Sequence, residues 1–143
     1  MKEIKVIKKV YAYIVKNNQL LVFSEPDFPD IGMQIPGGTV EENENIEDAL
    51  KREVFEETGL TKIKIKRYLG EDFIDLRNFG KNQIHERHFF EVELEEETNE
   101  TWDHIEKFPS EGTEKEILFR FFWLSLNKKI DIGSQDKFLL NLK

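Results

Sequence analysis

The sequence predicts an α/β fold, a mixed central sheet sandwiched between helices, and three observations carry that reading. The runs Val10-Tyr11-Ala12-Tyr13-Ile14-Val15 and Gln19-Leu20-Leu21-Val22-Phe23-Ser24 are apolar almost without a break, the signature of strands covered on both faces. Ile46, Ala49, Leu50 and Val54 recur at spacings of three and four, so this stretch is a helix with one apolar stripe for a core. Strand-like and helix-like segments interleave unevenly, which points to a mixed sheet with helices on both faces. At 143 residues the chain fits one domain, 1–143, long enough to bury about two-thirds of its unfolded surface.

In chain order, the two apolar runs flank the turn-like Lys16-Asn17-Asn18 and form a hairpin. Pro26, Pro29 and Gly32 mark a loop, Met33-Gln34-Ile35 a short strand, and Pro36-Gly37-Gly38 a turn where the backbone can approach a ligand closely. Asn45 caps the helix start with Asp48 at the reciprocal position, and Gly59 supplies the left-handed residue that ends it. Lys62 to Tyr68 alternates charge and bulk as a half-exposed strand does. Gly70 separates it from a shorter strand at Asp72–Leu76, and His85–Leu94 is extended again. Glu95 to Gly112 is acidic and turn-rich, a loop able to cover a site; Lys115–Leu126 holds a strongly apolar strand, and Ser134–Leu140 fits a short capped helix.

The helix carries one anomaly. Glu53, Glu56 and Glu57 gather their carboxylates on one side of its last two turns. Like charges at these spacings cost roughly 0.2–0.5 kcal/mol per pair, and acids near a helix C-terminus oppose its dipole by about 0.3–1 kcal/mol each. Arg52, four residues before Glu56, relieves part of this. A solvated acidic face is one reading; a hard divalent cation among the carboxylates is the other.

The longer stretch containing that helix resembles the Nudix box, G-x5-E-x7-R-E-U-x-E-E-x-G-U with U a bulky aliphatic residue. Gly38, Glu44, Arg52, Glu53, Val54, Glu56, Glu57, Gly59 and Leu60 fill every specified position, placing the box at residues 38–60. The resemblance implies a Nudix-type α/β/α sandwich whose loop–helix–loop binds Mg2+ or Mn2+ and hydrolyses a diphosphate linkage in a nucleoside diphosphate joined to another moiety. By the same resemblance Glu56 and Glu57 are metal ligands, Glu53 is a third ligand or the base, and the Gly37 carbonyl is a further ligand. Arg52 pairs with a box glutamate and fixes its rotamer, while Gly38, Glu44 and Gly59 shape the box. Relatives often add a carboxylate from the loop before a late strand; Glu111, Glu114 and Glu116 are the candidates here.

Outside the box, His85, Arg87 and His88 are candidates to touch phosphate or base, though exposed strands carry such residues routinely, and Trp102 is a candidate to stack on a base or to serve as a local hydrophobic anchor. A formal net charge of −8 argues against a long nucleic-acid partner, since neutralising many phosphates needs clustered Lys and Arg. The absence of cysteine removes disulfides, thiolate catalysis and cysteine–zinc sites. With no signal-like start and no run of roughly 20 apolar residues, the expectation is a cytoplasmic protein without a membrane partner. Oligomeric state is left open, with a homodimer compatible. The downstream proline of the ADP-ribose subgroup is missing at Ile74-Asp75-Leu76, and the tyrosine of many dinucleoside-polyphosphate hydrolases is missing at Leu76-Arg77-Asn78. A small nucleotide such as a nucleoside triphosphate, oxidised ones included, is the expected substrate. The alternative is a nucleotide-binding sensor of the same fold that does not hydrolyse its ligand.

Overall fold

A computed structural model describes residues 3–106 and 116–142. Strands β1 (Lys5–Lys16) and β2 (Gln19–Ser24) form the hairpin, turning on Asn17 and Asn18, both at positive φ. This is the backbone that the two-residue turn of a right-twisted hairpin requires. A short β3 (Gly37–Thr39) precedes the helix α1 (Ile46–Thr58). There follow β4 (Ile63–Asp75), β5 (Gln83–Leu94), β6 (Thr101–Glu106) and β7 (Ile117–Ser125). They make one seven-stranded sheet in the order β4-β5-β1-β2-β7-β6, with β3 attached to β1. The sheet is mixed: β1 and β5 run parallel in register from Lys5↔Gln83 to Val15↔Glu93, and the other pairs are antiparallel.

Alternate residues of the central strands serve two cores. Val10, Ala12, Ile14, Phe90 and Val92 pack under Ala49, Leu50 and Val54 of α1, so the apolar stripe meets the sheet. Each Val, Leu, Ile or Phe among them contributes about 1.5–3 kcal/mol on burial. Tyr13, Leu20, Val22 and Phe89 face the opposite way and are covered by Ile130, Ile132 and, more loosely, Phe138 and Leu139.

That second cover departs from the sequence expectation. Instead of a capped helix, the tail forms two 3-10 turns, Gly133–Asp136 and Leu139–Asn141, neither with a side-chain cap. Phe138, Leu139 and Leu142 reach the sheet from irregular backbone, so α1 is the sole α-helix among the described residues. Two further differences concern strands. The segments either side of Gly70 are one long β4, kept continuous by register shifts at Ile65/Arg67 and Tyr68/Gly70. The acidic stretch after residue 95 contains β6, paired with β7 from Thr101↔Phe122 to Glu106↔Ile117.

The site lies where β1 and β2 part. They pair only at Val15↔Leu20 and Lys16↔Gln19, and residues 34–39 wedge into the gap. Gln34 exchanges backbone hydrogen bonds with Phe23 of β2, after which Gly37–Thr39 pairs with Lys9–Tyr11 of β1. The chain enters α1 from this wedge.

Candidate active site

α1 starts and stops on local chemistry. The Asn45 side chain accepts from Asp48 N at 2.8 Å, and Gly59, left-handed at φ 80°, returns its N–H to Phe55 O. The last carbonyls find partners on β6: His104 Nε2 donates to Glu56 O (2.9 Å) and Trp102 Nε1 to Thr58 O (3.2 Å).

Arg52 ties the box together. Its Nε and Nη2 fork onto Glu44 (2.9 and 2.8 Å), Nη2 also reaches Thr39 O (2.9 Å), and Nη1 bridges Glu53 (2.9 Å) and Glu56 (3.3 Å). A planar, multiply donating guanidinium is the group that can do this, and the pairing holds the Glu44 carboxyl down to about 2. Gly37 N–H donates to Glu57 Oε1 at 2.6 Å, tying the wedge to the helix's last turn. A Cβ on Gly38 would overlap the Glu53 carboxylate, and one on Gly37 would overlap Val10 O and the Tyr11 ring. Both glycines are required for close approach.

Glu53 and Glu57 are buried, at 2% and 7% exposure, and Glu106 at the end of β6 is buried at 9%. Burial pushes the Glu53 carboxyl up to about 7 against the pull of Arg52, with Glu56 and Glu106 adding repulsion. Burial also raises Glu57 well above the usual carboxylate range, opposed by the Gly37 N–H and reinforced by Glu106, Glu53 and Glu25. Glu106 is raised by burial and then by Glu56 and Glu25. Glu53, Glu56 and Glu106 each offer an oxygen within 4.8 Å of the others. The donor set fits a hard divalent cation: it is all carboxylate oxygen, and the mutual repulsion of buried Glu53 and Glu106 and the exposed Glu56 is what such a cation relieves.

Glu53, Glu57 and Glu106 open on a cleft of about 370 Å3 that they line together with Gly37, Gly38, Lys9, Glu25, His85 and Gln135. Of the candidates downstream of the box, among the described residues, His85 alone lines it. Arg87 is 4% exposed, forks onto Asp72 at 2.7 Å through both nitrogens, and donates to Ser134 O (2.9 Å) and Oγ (3.2 Å). Its guanidinium stacks over Phe89, so it anchors the tail instead of facing a ligand. Trp102 stacks on Phe121 with centroids 5.1 Å apart and its N–H is engaged at Thr58, which removes it from the cleft as a base platform. His88 is buried between Glu86 (2.7 Å) and the Tyr68 hydroxyl (2.9 Å).

Of the three downstream carboxylates, Glu111 and Glu114 lie outside the described residues, and Glu116 is exposed and does not line the cleft. Glu106 stands beside Glu53 and Glu56 instead. The signal that could have found it is the alternation Trp102, His104, Glu106 against Asp103 and Ile105, a period of two masked by the surrounding acids.

The family profile for the NUDIX domain matches residues 7–128, most of the chain. The chain belongs to the Nudix family. As a Nudix hydrolase it is an enzyme acting on diphosphate linkages, in a family typically dependent on a divalent cation. No curated protein matches it. Among solved structures it is similar to a UDP-X diphosphatase (TM-score 0.64, 16% identity), covering 94% of this chain but only 58% of that one. It is also similar to a MutT NUDIX hydrolase from Burkholderia pseudomallei (0.58, 20%, covering 96% and 97%). A third is an ADP-ribose pyrophosphatase from Streptococcus suis (0.59, 17%, covering 94% and 84%). At these identities the likeness is one of fold. Among the described residues no helix is long and apolar enough to cross a membrane.

Proposed function

We propose that this Nudix hydrolase cleaves the diphosphate link of a small nucleotide, a nucleoside triphosphate or another nucleoside diphosphate conjugate, with Mg2+ or Mn2+ held by Glu53, Glu56 and Glu106 and Glu57 beside them. The carrying observation is the meeting of Glu53 and Glu56 of α1 with Glu106 of β6, where Glu53, Glu57 and Glu106 line one cleft. When bound, the cation supplies neutralisation of the phosphate oxygens and acidifies water. The chain's own part is positional and protonic. Arg52 fixes the Glu53 and Glu56 rotamers, and Gly37 N–H fixes Glu57. Gly38 leaves room for the Glu53 carboxylate, which serves as a third ligand or as the base that accepts a proton from attacking water. Water adds to phosphorus, the bridging P–O bond breaks, and the nucleotide or phosphate leaves with that oxygen.

The test is a panel of nucleoside triphosphates, oxidised triphosphates and nucleotide conjugates, incubated with Mg2+ or Mn2+ and followed by chromatography. Cation-dependent appearance of a nucleoside monophosphate or diphosphate supports the reading. Tight nucleotide binding without any product under these conditions replaces it with a sensor.

A further inference from the structure

Next to the carboxylate cleft lies a second cavity of about 510 Å3, between the wedge and the tail. Ile31, Gln34 and Gln135 line both, so the two adjoin at those residues. Its walls combine the apolar Ile31, Met33 and Ile132 with the polar Gln34, Ser134 and Gln135, in the size range of small-molecule sites.

Gln135 is the one group in this cavity whose hydrogen-bonding sense the backbone dictates. The Ile35 N–H can only donate, and it points at the Gln135 side chain at 2.8 Å, so that atom is the carbonyl oxygen Oε1. The amide nitrogen Nε2 therefore takes the other side, with two hydrogens and no acceptor among the described residues. The residue is also held still: Tyr13 Oη donates to Gln135 O at 2.5 Å, and buried Arg87, braced by Asp72, grips the preceding Ser134. A rigid donor on a residue that lines a partly apolar cavity is pre-organised to recognise an acceptor.

The geometry points to Gln135 as the specificity-determining residue: its Nε2 donates to a ring carbonyl of the nucleobase seated in this second cavity, so that bases bearing a carbonyl there are preferred over their amino counterparts. This rests on the nucleotide reading above. An exocyclic amino group at that position sets donor against donor and leaves both unpaired, the mismatch that polar sites reject most strongly. Pocket and phosphates are then served by different elements. The tail reads the base, while α1 and β6 handle the diphosphate.

The experiment measures binding of two matched pairs of monophosphates, IMP against AMP and UMP against CMP, by calorimetry with Mg2+ present, so that no turnover is needed. The intact protein is expected to bind the carbonyl member of at least one pair tenfold or more tightly than its amino partner. Gln135→Glu keeps an oxygen for Ile35 N–H and removes the donor; it is expected to bring that ratio to within twofold, and Gln135→Met, which removes the donor without adding charge, to do the same. Equal binding within both pairs, no binding of either, or a preference that survives both substitutions overturns the assignment. Hydrolysis of the corresponding triphosphates is scored separately. A base preference without cation-dependent hydrolysis contradicts the proposed activity and leaves the base site standing.

Discussion

Glu57 shows how one side chain can be structural and chemical together. One oxygen is fixed by Gly37 N–H, while burial and neighbouring acids raise its carboxyl. Glu57→Gln keeps an acceptor for Gly37, so the variant is expected to melt within a few degrees of the parent while its turnover falls by at least about a hundredfold. Calorimetric melting and initial rates at saturating Mg2+ check both halves. Gly38→Ala drives a methyl into the Glu53 carboxylate that Arg52 holds, with an expected cost of about 1–3 kcal/mol in urea unfolding and a loss of most activity. Glu106→Gln is expected to weaken Mn2+ binding by tenfold or more, and Glu116→Gln to leave it unchanged; a calorimetric titration separates them. The clustering of Glu53, Glu56 and Glu57 was legible in the sequence because it follows from spacing on a single helix, and the resemblance to the Nudix box supplied the roles expected of them. Glu106 was not, because it becomes a neighbour of Glu53 only when a strand distant in sequence is laid against α1.

At the scale of elements, the helix and the main strands were legible from periodicity and caps, and what escaped was set by tertiary packing. β6 reads as an acidic loop until its alternate residues are seen capping the end of α1, where Trp102 and His104 take carbonyls that a helix terminus otherwise leaves to water. Arg87 carries the charge of a phosphate ligand, and only the fold reveals Asp72 beside it. The tail lacks helix caps and is shaped by what it covers. Gly70 is part of that shape: at φ 140° it leaves space for the Phe138 ring, which an added Cβ would approach to 2.8 Å. Gly70→Ala is expected to destabilise the protein by about 1–3 kcal/mol, read as a lower urea midpoint at unchanged slope.

For the molecule as a whole, the buried carboxyls link stability to pH and to the cation. Glu53 titrates near 7 in the folded chain and near the ordinary glutamate value when unfolded, so the folded state binds more protons between those values. Its contribution is fully present below the unfolded value and is lost as pH rises through about 7. In EDTA the unfolding free energy is expected to fall between pH 5 and pH 8, by on the order of 3 kcal/mol for Glu53 alone, and the melting temperature to fall with it. Glu57 and Glu106, also raised, act in the same sense. Added Mn2+ is expected to restore stability most at the alkaline end, since it binds the ionised cluster of the folded state. A melting temperature that rises with pH in EDTA would contradict this. The most direct measurement is the anomalous difference map of crystals grown with Mn2+ and a non-hydrolysable diphosphate analogue. A peak within about 2.5 Å of carboxylate oxygens from Glu53, Glu56 and Glu106 is the predicted result. A clean map at those side chains, with the analogue bound in the cleft, would contradict the account.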